Sequence, residues 1–323
     1  AESICTIRGL FATADGKKEV LCRVSGAKRS IKINGKAVEN ASAFYGQTRS
    51  VVFTPDELQI VKGPPSLRRH FVDRLLAQAD ARYVDHLVHY QRALKSRNKV
   101  LAAAQEKQKT AELPSLVASW NTILARHAVV VSAKRKELCA EMETHFADYY
   151  QQIVSASGSA ETVSCSYRSE LIEQGAGDDE QRAKQLYDET LSRDLRKGVT
   201  SLGPHRDDLQ LYIGSASAMH DSRQTASQGQ TRSIALALTL AACRLLRERS
   251  GEAPILLLDD VESELDSLRR SSLGKILRET TSQVIITATD VSHLAEEAGL
   301  ETKLMHITGG NIIPGNQPAS RVN

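Results

Sequence analysis

The chain has 323 residues, 41% of them hydrophobic and 25% charged, enough for one large domain or two with a substantial core. Its net charge of +3 argues for no class of partner by itself. Five scattered cysteines without a CxxC pair, no basic-then-apolar leader, and no uninterrupted apolar run near the ~18 residues of a membrane span predict a cytoplasmic protein with reduced thiols, no zinc site and no membrane segment.

Residues 1–53 read as strands. SICTIRGLF, EVLCRVS and RSIKINGK alternate and are β-branched, Asn34-Gly35 signals a hairpin turn, and SVVFTP is a short buried strand stopped by Pro55. Residues 56–152 carry helical spacing: Tyr83, Leu87, Tyr90 and Leu94, then Leu116, Trp120, Ile123 and His127, then Leu138, Met142 and Phe146. Pro114 separates two runs, which predicts an antiparallel helical hairpin. Its second arm spans on the order of 50 Å, too little for an extended coiled coil. Residues 155–180 are Ser/Gly-rich and acidic, hence loop, and DDEQRAKQLYDETLSRDLRKG is a further helix ended by Gly198. Beyond Thr200 the order is strand, helix, strand, helix, strand: DDLQLYI, the helix over 230–249, PILLLDD, SLRRSSLGKILRET and SQVIITATD. That alternation predicts a mostly parallel sheet.

Three of these junctions carry candidate chemistry. The apolar helix opens with SQGQ, in which Ser227 and Gln230 form a capping box. Capping does not explain Gly229, since a glycine in a first turn weakens a helix by about 1 kcal/mol relative to alanine. Bare amides, a hydroxyl and a glycine suit a helix start that an anion approaches closely. In PILLLDDVESELD the apolar run Ile255–Leu258 ends in Asp259-Asp260. Adjacent carboxylates at the C-terminal edge of a buried strand sit where sheet ligands bind; one can hold a water of Mg²⁺ while its neighbour orients or deprotonates an attacking water. Turning the chain and capping the next helix is the plainer alternative, and Asp266 fits a plain N-cap. The strand QVIITATD ends in Thr287, Thr289 and Asp290, which suit either a γ-phosphate sensor or an ordinary polar strand end.

In this order the pieces resemble the head of an ABC-type ATPase: SQGQ is similar to its signature motif, ILLLDD to Walker B and SELD to the D-loop. Within that superfamily the resemblance is to the RecF family, DNA-repair relatives of SMC heads. It is carried by VVFTPDELQIVKGPPSLRRHFVD (51–73), GPHRDDL (203–209), SQGQTR (227–232) and LLLDDVESELDSLRR (256–270). The family's phosphate-binding loop, GxxxxGK[ST], is not among these residues. AESICTIRGLF matches the segment after that loop's helix, so the chain is expected to start beyond a strand–loop–helix unit of roughly 30 residues. Glu262 stands where the family has an apolar or small residue, and Gln59 is the nearest candidate for a Q-loop glutamine.

The resemblance implies an α/β fold: an ABC-type ATPase head, of the P-loop NTPase class, with a mixed sheet, flanking helices and an inserted helical lobe. Residues 1–78 and 200–323 would form the ATPase lobe and 79–199 the helical lobe. It implies slow, dimer-dependent ATP hydrolysis with ATP and Mg²⁺, two subunits sandwiching the nucleotides. Ser227 and Gly229 would reach the γ-phosphate on the partner subunit, with Gln228 and Gln230 shaping the turn. Asp259 would be the Mg²⁺ carboxylate, acting through a water, and Asp260 the water-activating one. Ser263, Glu264, Leu265 and Asp266 would couple the two sites, and Thr289 or Asp290 would sense the γ-phosphate. Double-stranded and gapped DNA, RecO and RecR are the implied partners, recombinase loading the implied task, and no membrane is involved.

Residues 62–109 hold eleven lysines and arginines against four carboxylates, a local charge of +7, a plausible phosphate footprint. Arg92, Lys95, Arg97 and Lys99 fall within about two helical turns and are expected to line a DNA groove. Arg68-Arg69 instead suit pairing inside the fold, and His205 and Arg206 suit fixing the strand near the signature by hydrogen bonds. Two other readings stand beside the DNA clamp: an ATPase subunit of another ABC-type system, such as a transporter, and a non-catalytic DNA- or partner-binding fragment of such a head.

Overall fold

The first strands form as their alternation predicts. In this computed structural model, which describes residues 4–26, 28–106, 113–215, 217–261, 265–288 and 302–314, β1 (Ile4–Thr13), β2 (Gly16–Ser25), β3 (Lys28–Ile33) and β4 (Lys36–Ala37) make an antiparallel sheet in that order. Asn34 and Gly35 turn β3 into β4 with φ of 48° and 79°. Two consecutive left-handed residues are what a two-residue hairpin loop requires. The Asn34 side chain also accepts the Glu19 amide at 2.8 Å. Glu252 ties this sheet to the rest, accepting from the Ala14 amide and from Arg49 Nη1 at 2.7 Å.

The short helix α1 (Ala41–Phe44) leads to β5 (Ser50–Phe53). A 3₁₀ turn at Pro55–Leu58, α2 (Gln59–Lys62), α3 (Pro65–Ala79), α4 (Ala81–Glu106) and α5 (Leu113–Val154) follow. At 42 residues α5 is about 63 Å long, with Pro114 in its first turn, where a missing N–H is harmless. One stretch of α5 is long and apolar enough to cross a membrane. Its apolar side is nevertheless covered by protein: Val117, Leu124, Val131, Leu138, Met142 and Phe146 are buried against α4 and later elements.

The region 155–180 is not all loop. It contains β6 (Thr162–Arg168) and α6 (Glu170–Glu173), because Val163 and Cys165 alternate inward within the Ser/Thr-rich run TVSCSYR. The single helix expected next is two, α7 (Glu180–Glu189) and α8 (Leu191–Lys197). The Thr190 hydroxyl bonds back to the Tyr187 carbonyl at 3.2 Å, competing with helix continuation, and the bend turns both Tyr187 and Asp194 inward. Gly198 closes α8 in the left-handed conformation, as expected.

β7 (Asp208–Ser215), β8 (Ala218–Asp221), α9 (Ser222–Thr225), α10 (Gln228–Ser250), β9 (Ile255–Asp259), α11 (Ser267–Glu279), β10 (Val284–Thr287), β11 (Met305–Thr308) and β12 (Asn311–Pro314) complete the chain. The parallel sheet is smaller than predicted, with order β10-β9-β5. DDLQLYI is not in it: β7 pairs antiparallel with β6 and β8 in a separate sheet. β11 and β12 form a hairpin.

α10 is the central rod. Every residue from Ile234 to Cys243 is buried, as are Leu245 and Leu246. It joins α5, α3, the parallel sheet and β6–β7 in the larger apolar cluster. A second cluster, around Tyr90, Leu124, Leu171, Tyr187 and Leu202, lies between α4, α5, α6 and α7, and α5 runs through both.

Candidate functional site

Ser227 caps α10 with extended backbone, and both halves of the capping box are made. The Gln230 amide donates to Ser227 Oγ at 3.2 Å, and the Ser227 amide donates to Gln230 Oε1 at 2.7 Å. Gln230 Nε2 then donates to both oxygens of Glu161 at 3.0 and 2.8 Å. Lys62 holds the chain entering this turn, its Nζ donating to the carbonyls of Ser222, Arg223 and Ala226 at 3.2, 3.2 and 2.5 Å. Ser227 and Gln228 are exposed and Gly229 is half-buried. The nearest neighbour of a Cβ on Gly229 would be the Arg269 guanidinium, at 3.5 Å, an ordinary contact. Packing within the described residues therefore leaves room for an alanine at 229.

The carboxylates follow from the parallel sheet. Asp259 and Thr287 are direct neighbours across β9 and β10, and the Thr287 hydroxyl donates to Asp259 Oδ1. Asp260 sits one residue beyond, at φ 50°, a left-handed conformation that Asp tolerates better than most residues. Its amide donates to the Thr287 carbonyl at 3.1 Å and to Thr287 Oγ1 at 3.2 Å. Thr287 thus fixes both acids at the strand ends, one through its carboxylate and one through its backbone. Asp259 is exposed and Asp260 half-buried, so both face solvent at the C-terminal edge.

Asp266 is bonded to the helix-start side and follows the two acids in the chain. It lies six residues after Asp260, at most about 20 Å of extended chain. Asp266 caps α11, accepting the Arg269 amide at 2.9 Å, and pairs with the Arg269 guanidinium. Arg269 Nε donates to Ser233 Oγ at 2.9 Å, and that hydroxyl donates to the Gly229 carbonyl at 3.1 Å. Arg269 was legible in SLRR but was given no role there; a cation three residues after a capping aspartate at a motif's end was the available signal. Leu265 is buried beside it. Ser263, Glu264, Thr289 and Asp290, like Glu262, lie outside the described residues.

Among the described residues no group of three or more His, Cys, Asp or Glu is arranged to hold a metal ion. Asp259 and Asp260 nevertheless fit Mg²⁺, which takes one or two carboxylates, keeps several waters and draws its other oxygens from phosphate.

The other motif stretches build a buried polar seam. Arg68 donates to both Asp208 oxygens at 2.8 and 2.9 Å and to the Ile60 and Gly63 carbonyls; Arg69 reaches the Asp207 carbonyl at 2.8 Å. Both are thus paired inside the fold, as the sequence suggested. Arg135 grips both Asp73 oxygens at 2.8 and 2.9 Å and the Pro204 carbonyl at 2.7 Å. Asp207 accepts from Tyr167 and Ser132. His205 donates from Nε2 to the Thr200 carbonyl at 3.0 Å and accepts the Tyr90 hydroxyl on Nδ1 at 2.6 Å. Burial pushes its pKa down to about 4, so it is neutral at pH 7. Arg206 does not share that task; its side chain is exposed and only its backbone amide closes the turn, onto Gly203.

The expected basic groove shrinks. Arg97 is fully buried, bonding Asp194 at 2.7 Å, Asn121 at 2.7 Å and Thr200 at 2.8 Å. It sits about 200° around the helix from Lys95, which turns it inward and removes it from any DNA surface. Arg92, Lys95 and Lys99 are exposed and share one face at i, i+3 and i+7. Of the other cations in 62–109, Lys62, Arg68, Arg69 and Arg74 are engaged within the fold, and Lys107 and Lys109 lie outside the described residues.

A family model described as the RecF/RecN/SMC N terminal domain matches residues 4–309. The DNA replication and repair protein RecF of Latilactobacillus sakei is 31% identical over 97% of this chain and 82% of its own length. That of Staphylococcus carnosus is 33% identical over 95% and 81%. The chain belongs to the RecF family of the ABC/SMC superfamily. A solved structure of the recombination mediator protein RecF-ATPrS in the RecFOR pathway matches with TM-score 0.81 and 27% identity, over 97% of this chain and 81% of that one. A RecF-ATP structure matches equally well at 26% identity. The fold is thus the α/β, ABC-type ATPase head of the RecF family, with its long helical insertion.

Proposed function

We propose that this chain is the ATPase head of a DNA-repair protein: a cytoplasmic, ATP-dependent clamp on double-stranded or gapped DNA that assists recombinase loading with RecO and RecR. The observation that carries the reading is the hydrogen-bonded path Gly229–Ser233–Arg269–Asp266, which ties the exposed, capped start of α10 to the N-cap of α11, six residues along the chain from Asp260 at the edge of the parallel sheet. RecF relatives and RecF-ATP structures support it. The lobe boundaries 1–78, 79–199 and 200–323 belong to the same proposal.

Mg²⁺ would supply charge neutralisation at the β- and γ-phosphates. Asp259, held by Thr287, would hold that ion through a water. Asp260 would orient the attacking water and take its proton as the oxygen attacks the γ-phosphorus in line and the bond to the bridging oxygen breaks, releasing ADP and phosphate. Ser227 and the amides at the start of α10 face the γ-phosphate held by a second subunit, where the helix dipole favours negative charge. Gly229 keeps that approach open. Asp266 and Arg269 report the state of one site to the other, so hydrolysis loosens the clamp. The GxxxxGK[ST] loop is assigned to no residue here.

The test uses the full gene product. Asp260→Asn is expected to lower ATP turnover by on the order of 10²-fold or more, with ATP-driven dimerisation kept. Ser227→Arg is expected to abolish that dimer in light scattering while leaving the melting temperature of the monomer in place. Unchanged turnover in the first variant, or a normal ATP dimer in the second, refutes the corresponding assignment.

A further inference from the structure

We propose that the solvent face of the β1–β4 sheet, centred on Arg23, is a docking surface for the phosphate backbone of duplex DNA; this rests on the DNA-binding reading above. Residues 4–37 hold eight lysines and arginines against two carboxylates, a local charge of +6 in a chain whose total is +3. The register sorts them. Thr6, Arg23 and Ser30 lie opposite one another across β1, β2 and β3, as do Arg8, Leu21 and Lys32, and Ile4 and Lys28 flank Ser25. Directly opposed residues share a face. Arg8, Arg23, Lys28 and Lys32 therefore all project from the same side of the sheet, and all four are exposed. The other side carries Phe11, Val20, Cys22, Val24, Ile31 and Ile33, all half-buried, together with the exposed Cys5, Ile7 and Arg29.

Arg23 is the centre of this arrangement. Arg8, Lys28 and Lys32 are each its diagonal neighbours, a spacing of about 7–8 Å. No cation directly opposes another; the intervening positions are Thr6, Leu21, Ser25 and Ser30. Among the described residues Arg8 has a carboxylate partner, Glu19, while none is recorded for Arg23, Lys28 or Lys32. Protection of a sheet edge, the common reason for charge on strands, does not account for Arg23, because β2 is paired on both sides. Nor does internal pairing of the kind that absorbs Arg68, Arg69 and Arg97. What remains is a lattice of positive charge with Thr6, Leu21, Ser25 and Ser30 between, suited to the regular anionic backbone of a duplex and carrying no pattern for reading bases.

The experiment is duplex binding by the full gene product over a salt series, with ATP. The variants are Arg23→Gln/Lys28→Gln/Lys32→Gln, the α4 set Arg92→Gln/Lys95→Gln/Lys99→Gln, and Arg23→Lys. The sheet triple variant is expected to bind on the order of 10²-fold more weakly at 0.1 M salt, with a slope of log K against log salt shallower by about 2–3. Arg23→Lys is expected to keep the wild-type slope, and thermal melting and ATP-driven dimerisation are expected to stay as in wild type. Binding by the triple variant equal to wild type, or a loss with an unchanged salt slope, overturns the sheet surface and leaves the functional reading standing. Failure of the wild-type protein itself to bind duplex overturns both. Loss in the α4 set alone moves the contact to the helical lobe and likewise overturns the inference.

Discussion

Gly203 stands at φ +121°, and a Cβ there would come within 2.5 and 2.6 Å of the Tyr187 and Tyr90 hydroxyls. Neither hydroxyl can retreat freely, since both tyrosines are buried and Tyr90 is bonded to His205. Gly203→Ala is therefore expected to cost on the order of 2–4 kcal/mol, from left-handed strain and from displaced rings together, read as a fall in urea midpoint. His205 next to it makes stability pH-dependent. The unfolded imidazole protonates near 6.5, whereas burial holds the folded one near 4. Between those values the unfolded chain binds a proton that the fold refuses. This contribution is whole above pH 6.5 and is lost as pH falls towards 4, on the order of 3 kcal/mol in all. His205→Gln is expected to flatten that part of the stability–pH curve; a wild-type and variant difference that stays constant from pH 7 to 4 would show that His205 titrates normally.

At the level of elements, α4 shows what sequence reading can and cannot reach. Its helical period was plain in Tyr83, Leu87, Tyr90 and Leu94, and the cations 92, 95 and 99 fell on the expected outer face. Arg97 did not, because its partners Asn121, Asp194 and Thr200 come from elements 24 to 103 residues away, and no local pattern reveals such pairing. β6 is hidden in the same way: its alternation is short, three of its seven residues are Ser or Thr, and β7, its antiparallel neighbour, lies about 40 residues on. The Arg97 pair carries a prediction. Arg97→Met leaves Asp194 charged and buried without its cation, which costs about 3–5 kcal/mol. Lys95→Ala, on the exposed face, is expected to change stability by less than about 0.5 kcal/mol. Thermal melting of the two variants side by side checks this; a harmless Arg97→Met would mean that the pair is not closed in solution.

Across the whole molecule, the candidate site is legible as an order of motifs: a capped helix, an acidic strand end and a short acidic turn follow one another in the chain. The tie between the capped helix and Asp266 is not legible, since it runs through Arg269 and Ser233, residues that look ordinary on their own helices. The arrangement leaves Ser227, Gln228 and Asp259 exposed, which is an unfinished site if the molecule acts alone and a half-site if two molecules close on nucleotide. A half-site has a thermodynamic signature. A ligand that is held only between two folded subunits stabilises by mass action in both ligand and protein. For Asp260→Asn, which should trap uncleaved ATP, the melting temperature is expected to rise with protein concentration when ATP and Mg²⁺ are present and to be independent of concentration without them. Adding Ser227→Arg to that variant should remove the concentration dependence while leaving the nucleotide-free melting temperature alone. A nucleotide-induced rise that is the same at every protein concentration would place ATP binding within one subunit and would remove Ser227 and Gly229 from the site.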